Sequence, residues 1–267
     1  MRKLSSGLRA DIPVVVTFRA YEEGEDTLQL LKKHGFEGRN IPLIMIDPVY
    51  DDASFSAFSR LDDFDILVLT SVHALNASVD TMEKLEQSFE KHPGLKLACV
   101  GEKTAKKALE YFTDNELIIP DTYSAEGLTK LFEKSGINGK KILLPVSNLS
   151  KESFAHDLVR LGAKVERVVI YRTDPPPVES WPLIRSELDL TVPDFLVFTS
   201  PSTFKNFIRV FGEEAKMVFD QCYVCAIGDI TKKAIEDLGY HVFMTPEIYT
   251  LDSLLTELKK YTLENSY

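Results

Sequence analysis

The chain repeats itself. Asp65–Ser71 (DILVLTS) recurs as Asp194–Ser200 (DFLVFTS), 129 positions later. Val100–Leu109 (VGEKTAKKAL) recurs as Ile227–Glu236 (IGDITKKAIE), 127 later, and Pro120–Leu128 (PDTYSAEGL) as Pro246–Leu254 (PEIYTLDSL), 126 later. Three matches in one order at nearly one offset mark a duplication of about half the chain, not a short solenoid repeat. A chain of 267 residues has room for two such domains. Its 44% hydrophobic content allows a sizeable core.

Each half has the same grammar. Val14–Thr17, Ile66–Leu69, Leu97–Val100, Ile142–Leu144, Phe195–Phe198 and Tyr223–Ile227 are short apolar runs that read as buried parallel strands. Each leads through a polar or glycine turn into a helical pattern. Ser71, Ser124, Ser202 and Thr250 mark helix starts, and Gly162 and Gly239 mark helix ends. Such a series predicts an α/β fold of two similar doubly wound parallel-sheet domains. The run into Gly35 resembles the run into Gly162, and each precedes an extended segment, 41–46 or 165–171. The N-terminal strand and helix therefore match those that close the middle block. A discontinuous first domain is expected from 1–40 with 175–267, and an inserted second domain from 48–164. Segments 41–47 and 165–174 would be hinge strands paired as a two-stranded β ladder. The prolines Pro175, Pro176 and Pro177 would stop the second of them.

A net charge of −10 argues against nucleic acid or an anionic membrane as partner. No apolar run approaches the ~20 residues that cross a bilayer. Residues 1–10 show no leader pattern, so a cytoplasmic chain is expected. Cys222 and Cys225 form a C-x-x-C, but Cys225 and Cys99 fall inside predicted strands. No second Cys/His pair completes a zinc site. Phosphate-loop, dinucleotide and nucleophile-elbow motifs are missing; Gly101-Glu-Lys-Thr104 lacks the preceding glycine a phosphate loop needs. His34, His73, His92, His156 and His241 are scattered, and only His73 lies near a predicted strand end.

Open parallel sheets bind ligands beyond the carboxyl ends of their strands. Polar residues there form two matching sets: Thr70 and Ser71 with Gly101 and Thr104, and Thr199, Ser200 and Ser202 with Gly228 and Thr231. Ser147 and Asn148 follow a third strand. Free backbone N–H groups, the helix dipole and a hydroxyl can hold a carboxylate there without cationic side chains. The same residues also serve as ordinary helix caps. Arg19 would either meet an anion or be solvated. Tyr171, in the second crossing, would either reach the ligand or pack the hinge.

Asp65–Ser71, Val100–Ala105, Leu161–Tyr171, Phe198–Ser202 and Ala226–Thr231, in that order, resemble the motifs of the uroporphyrinogen-III synthase family. The resemblance runs from Val14 to Leu254. It implies two α/β domains joined by a two-stranded ladder, acting as a monomer without metal or cofactor. It implies the substrate hydroxymethylbilane, a linear tetrapyrrole with acetate and propionate arms. The family expels the terminal hydroxyl as water, inverts the last pyrrole through a spiro intermediate and closes the ring. By the resemblance, the Thr-Ser pairs and nearby amides bind carboxylates, with Thr104 and Thr231 at the family's threonine position. Tyr171 takes the place of its cleft tyrosine, and Lys151 the place of an arginine. Val72-His73-Ala74 departs from the usual pattern. A non-catalytic tetrapyrrole-binding or regulatory module of the same fold is the alternative.

Overall fold

A computed structural model of the chain describes residues 12–112, 116–190 and 193–265. The leaderless N-terminus expected at residues 1–10, and the extreme ends of the first domain, lie outside them. In chain order the elements begin β1 (Val14–Thr17), α1 (Gly24–His34), β2 (Glu37–Asn40), β3 (Met45–Pro48), α2 (Asp52–Phe58), β4 (Ile66–Leu69) and α3 (Val72–Lys84). Next come β5 (Lys96–Cys99), α4 (Glu102–Ala108), β6 (Leu117–Ile118), α5 (Ala125–Ser135), β7 (Lys141–Ser147), α6 (Ser153–Arg160) and β8 (Lys164–Asp174). The chain ends with α7 (Trp181–Asp189), β9 (Phe195–Phe198), α8 (Pro201–Phe211), α9 (Glu214–Phe219), β10 (Tyr223–Ala226), α10 (Asp229–Glu236) and α11 (Leu251–Glu264).

The chain divides into two compact units, Met1–Met45 with Asp174–Tyr267, and Ile46–Thr173. The first holds a sheet of order β10-β9-β1-β2, the second one of order β3-β8-β7-β4-β5-β6. Pairings β1 with β2 and β9, β9 with β10, β4 with β5 and β7, β5 with β6, and β7 with β8 are all parallel. A parallel bridge from Cys225 to Met244 widens the first sheet where β6 widens the second. The duplication seen in sequence is thus a duplication of strand order. Motif-matched β4 and β9 occupy the same place, and the β1-α1-β2 unit corresponds to β7-α6-β8 although it comes first in the chain.

Both sheets are covered on both faces, which is why β4 and β9 are apolar at every position. Leu67 and Leu69 join the core under α2, α3 and α4, while Ile66 and Val68 join that under α5 and α6. In the first unit, Leu196 and Phe198 pack with α8 and α10, and Phe195 and Val197 with α1 and α11. Each large apolar side chain so buried contributes about 1.5–3 kcal/mol. The aspartate that opens each motif serves the opposite strand ends. Asp65 Oδ2 accepts the Lys141 N–H at 2.8 Å, and Asp194 Oδ2 accepts the Val14 N–H at 2.8 Å.

Gly35 and Gly162 end their helices with φ of 84° and 89°, a region that disfavours side chains. A Cβ on Gly162 would also lie 2.2 Å from Asn138 Oδ1. Ser71, Ser124 and Thr250 cap helices as expected. The cap of α8 is Ser200, not Ser202, because Pro201 has no N–H to offer and fits the first helical turn. β2 (EGRN) was not legible as a strand; it lies at a sheet edge with only partial burial. Residues 41–44 are not a strand, and Ile41 and Leu43 are buried in the first unit's core. The two crossing segments do lie side by side, as β3 and β8, and β8 also runs along β7. Together they form the margin of the six-stranded sheet.

Candidate active site

Where neighbouring strands send their chains to opposite faces, a crevice opens beyond their carboxyl ends. In the first unit this falls between β1 and β9, because α1 and α8 lie on opposite faces. In the second it falls between β4 and β7, because α3 and α6 do. Each crevice lies beside one of the two Thr-Ser pairs.

In the second unit, Ser71 is extended and caps α3, its Oγ accepting the Ala74 N–H at 3.1 Å. Its Oγ lies 3.2 Å from Tyr171 Oη, and either oxygen can donate. Tyr171 reaches it through a bulge. The β7–β8 register passes from Val146↔Val169 to Ser147↔Tyr171, skipping Ile170. A regular strand would turn Ile170 and Tyr171 to opposite faces. Instead both join the core on the α3 face. The extra residue re-aims the phenol, leaving Tyr171 8% exposed. The His73 ring centroid is 6.0 Å from that of Tyr171.

The turn after β7 is a closed network. Ser147 Oγ accepts the Leu149 N–H at 2.9 Å, and the Ser147 N–H donates to Ser150 Oγ at 3.1 Å. Asn148 Oδ1 accepts the Thr173 N–H at 2.8 Å, and Arg167 Nη2 donates to Ser150 O at 2.9 Å. Ser147 therefore builds the turn and is 6% exposed, whereas Lys151 beyond it is exposed.

In the first unit, Ser200 and Thr203 form a reciprocal cap at the start of α8. Ser202 Oγ sits 2.9 Å from Ser200 Oγ, and Thr199 is half-buried beside them. The Arg19 guanidinium pairs with Glu23 through Nη2, and its Nε is buried with no hydrogen-bond partner among the described residues. Asn40, unnoticed in the sequence, holds the strand ends together. Its Oδ1 accepts from Thr17 Oγ1 at 2.7 Å and from the Arg19 N–H at 2.9 Å.

The glycine-threonine pairs do not sit as the Thr-Ser pairs do. Thr104 and Thr231 are only 5% and 3% exposed. Gly101 and Gly228 cap α4 and α10, whose first turns carry Glu102 and Asp229. Those carboxylates already answer the helix dipole and repel a second anion. The first turns of α3 and α8 hold no acid. Ser71 and Ser200 thus cap the two of these four helix starts whose first turns are free of acid.

Tyr123 and Tyr249, which match each other in the repeat, also reach these glycine turns. Tyr123 Oη donates to Glu102 at 3.5 Å, and Tyr249 Oη donates to Asp229. Both tyrosines were visible in the repeated segments, but nothing in one sequence tied them to acids about twenty residues away.

All three cysteines are free. Burial pushes the Cys99 and Cys222 thiols up to about 12, and Cys225 higher still, which disfavours the reactive thiolate. Among the described residues, no three His, Cys, Asp or Glu side chains gather as a metal site, and no helix is long and apolar enough to cross a membrane.

The family model for uroporphyrinogen-III synthase matches residues 25–256. A Methanocaldococcus jannaschii protein, provisionally assigned as a uroporphyrinogen-III synthase, is 29% identical over 92% of this chain and 97% of its own. The uroporphyrinogen-III synthase of Chlorobaculum parvum is 28% identical over 66% of this chain and 68% of its own. The fold is shared with the synthase structure from Helicobacter pylori, with TM-score 0.63 and 17% identity, covering 94% of this chain and all of that one. A mutant Thermus thermophilus synthase gives TM-score 0.61 and 17% identity, covering 94% and 99%. With a family model spanning most of its length and the family's fold in both of its units, the chain belongs to the uroporphyrinogen-III synthase family.

Proposed function

We propose that this protein converts hydroxymethylbilane to uroporphyrinogen III, with loss of water and inversion of the terminal pyrrole. The observation that carries the reading is the Tyr171 phenol, re-aimed by a bulge onto the cap serine of α3. Ser71 Oγ accepts the Ala74 N–H, so its own hydrogen can go to the phenol oxygen. The phenol proton is then free for the substrate. Tyr171 donates it to the departing hydroxyl, which leaves as water while the pyrrole nitrogen supplies the electrons. The resulting electrophile is attacked by the substituted α carbon of the last ring to give the spiro intermediate; the bond from that carbon to its original methylene breaks, the freed methylene bonds to the ring's other α carbon, and the proton on that carbon is released. Selecting the inverted product over direct closure is a matter of holding the reacting rings in place.

In each unit the helix that follows the Thr-Ser pair, α3 or α8, offers a carboxylate arm the free N–H groups of its first turn, with Thr70 beside Ser71 in one and Thr199, Ser200 and Ser202 in the other. Lys151 adds an exposed cation near the turn after β7. Gly101, Gly228, Thr104 and Thr231 shape the neighbouring strand ends from within. This reading assigns the work to one cytoplasmic chain without metal or cofactor.

The test is direct. Freshly prepared hydroxymethylbilane is supplied to the purified protein, and the oxidised products are resolved by isomer. Isomer III above the spontaneous isomer I background is the expected result. A product ratio unchanged by the protein would eliminate the enzyme reading; binding without conversion would point to the non-catalytic module instead.

A further inference from the structure

We infer that Tyr249 is a binding platform for the flat face of a pyrrole ring, a role that rests on the synthase reading above. Tyr249 stands in the turn before α11, at the carboxyl end of the first unit's sheet. It is 55% exposed, yet its hydroxyl is tied to Asp229 in the first turn of α10. An exposed tyrosine usually moves among rotamers; this one is fixed at both ends. Its ring also lies against the backbone of Gly228. A Cβ there would be 3.0 Å from Tyr249 Cγ and 3.1 Å from Cδ2, so glycine lets the ring lie flat on the chain. The outer face is left to solvent.

The surroundings say what such a ring can take. Ile230 and Ile248, 79% and 67% exposed, follow Asp229 and precede Tyr249 in the chain, and they cost free energy while left in water. Asp229 keeps carboxylate arms away by charge. An aromatic face rimmed by aliphatic groups and one acid suits a flat, electron-rich ring rather than its acidic arms. The carboxylates are left to the acid-free starts of α3 and α8. The repeat supplies an internal contrast. Tyr123 also reaches the first-turn acid of its helix, Glu102, and is 57% exposed. Lys103 and Thr122 stand where Ile230 and Ile248 stand, and no atom lies within 4 Å of a Cβ placed on Gly101. The second unit keeps the tyrosine and the acid but not the apolar rim.

The experiment compares Tyr249→Leu, Tyr249→Phe and Tyr123→Leu with the unaltered chain. Steady-state rates with hydroxymethylbilane are measured beside thermal unfolding. Tyr249→Leu should raise KM about three- to tenfold, the span of one aromatic contact, with its unfolding midpoint within about 2 °C of the unaltered chain. Tyr249→Phe should stay within about twofold, and Tyr123→Leu should change KM less than Tyr249→Leu. A leucine variant with unaltered KM, or a phenylalanine variant as impaired as the leucine one, would overturn the platform. If the unaltered chain forms no isomer III, the synthase reading fails by itself. Fluorescence titration with uroporphyrin III then decides the platform, with weaker binding by Tyr249→Leu upholding it and equal binding refuting it.

Discussion

Tyr171 shows how much one backbone irregularity can decide. Its residue type and its place in a crossing strand were plain in the sequence, and so was the ambiguity between ligand contact and packing. In the structure the ring packs on the α3 core and its hydroxyl touches Ser71. Tyr171→Phe keeps the packing and removes only the proton. It should lower kcat by about a hundredfold or more while moving the unfolding midpoint by no more than about 2 °C, read from isomer-resolved rates and calorimetry. Equal activity would remove Tyr171 from the chemistry. At the opposite strand ends, Lys140 and the Lys141 N–H hold the Asp65 carboxyl below its ordinary range. A depressed carboxyl stabilises the fold above its ordinary pKa, and that stability is lost as pH falls through the folded value. Thermal unfolding of Asp65→Asn, followed from about pH 7 to pH 3, should therefore lose part of the acid-side decline seen in the unaltered chain. The pair is partly exposed, so the difference should be small.

At the scale of elements, serines that read alike in sequence do different work. Ser200→Ala removes a reciprocal cap from α8 and should cost about 1 kcal/mol in urea unfolding. Ser71→Ala should cost as much and also lower kcat, because the same hydroxyl touches Tyr171; unfolding and turnover measured together separate the two. Gly162→Ala should destabilise by more than about 1 kcal/mol, since φ is positive and Asn138 blocks the Cβ. A midpoint unchanged in urea would contradict both the strain and the clash. The glycine-threonine turns looked equal to the Thr-Ser turns as anion sites. Burial of Thr104 and Thr231 and the acids opening α4 and α10 set them apart. The acids were on the page in Gly101-Glu102 and Gly228-Asp229; their weight became clear only once both were known to be first-turn residues.

For the whole molecule, the duplication has a folding consequence. Each unit has its own sheet and its own pair of cores, and the unit Ile46–Thr173 is continuous in the chain. Expressed alone, residues 46–173 should fold and unfold cooperatively, tested by circular dichroism in urea. A gradual, structureless transition would mean that the unit depends on the rest of the chain. The first unit, assembled from two chain segments, can form only after its second segment exists, so its β1–β9 pairing closes a long loop.

Hydrophobic runs, cap residues and the long repeat were enough to determine the two-fold α/β organisation, seven of the ten strands among the described residues to within a few residues, and the neighbourhood of both Thr-Ser pairs. These are local signals, because parallel strands buried on both faces must be apolar and helix starts must find acceptors for their free N–H groups. Tertiary structure alone decided the polar edge strand β2, the bulge that turns Tyr171, the closure of Ser147 into its own turn and the capture of Arg19 by Glu23. Each depends on which groups meet across the fold, and a single chain read in order carries no record of such meetings.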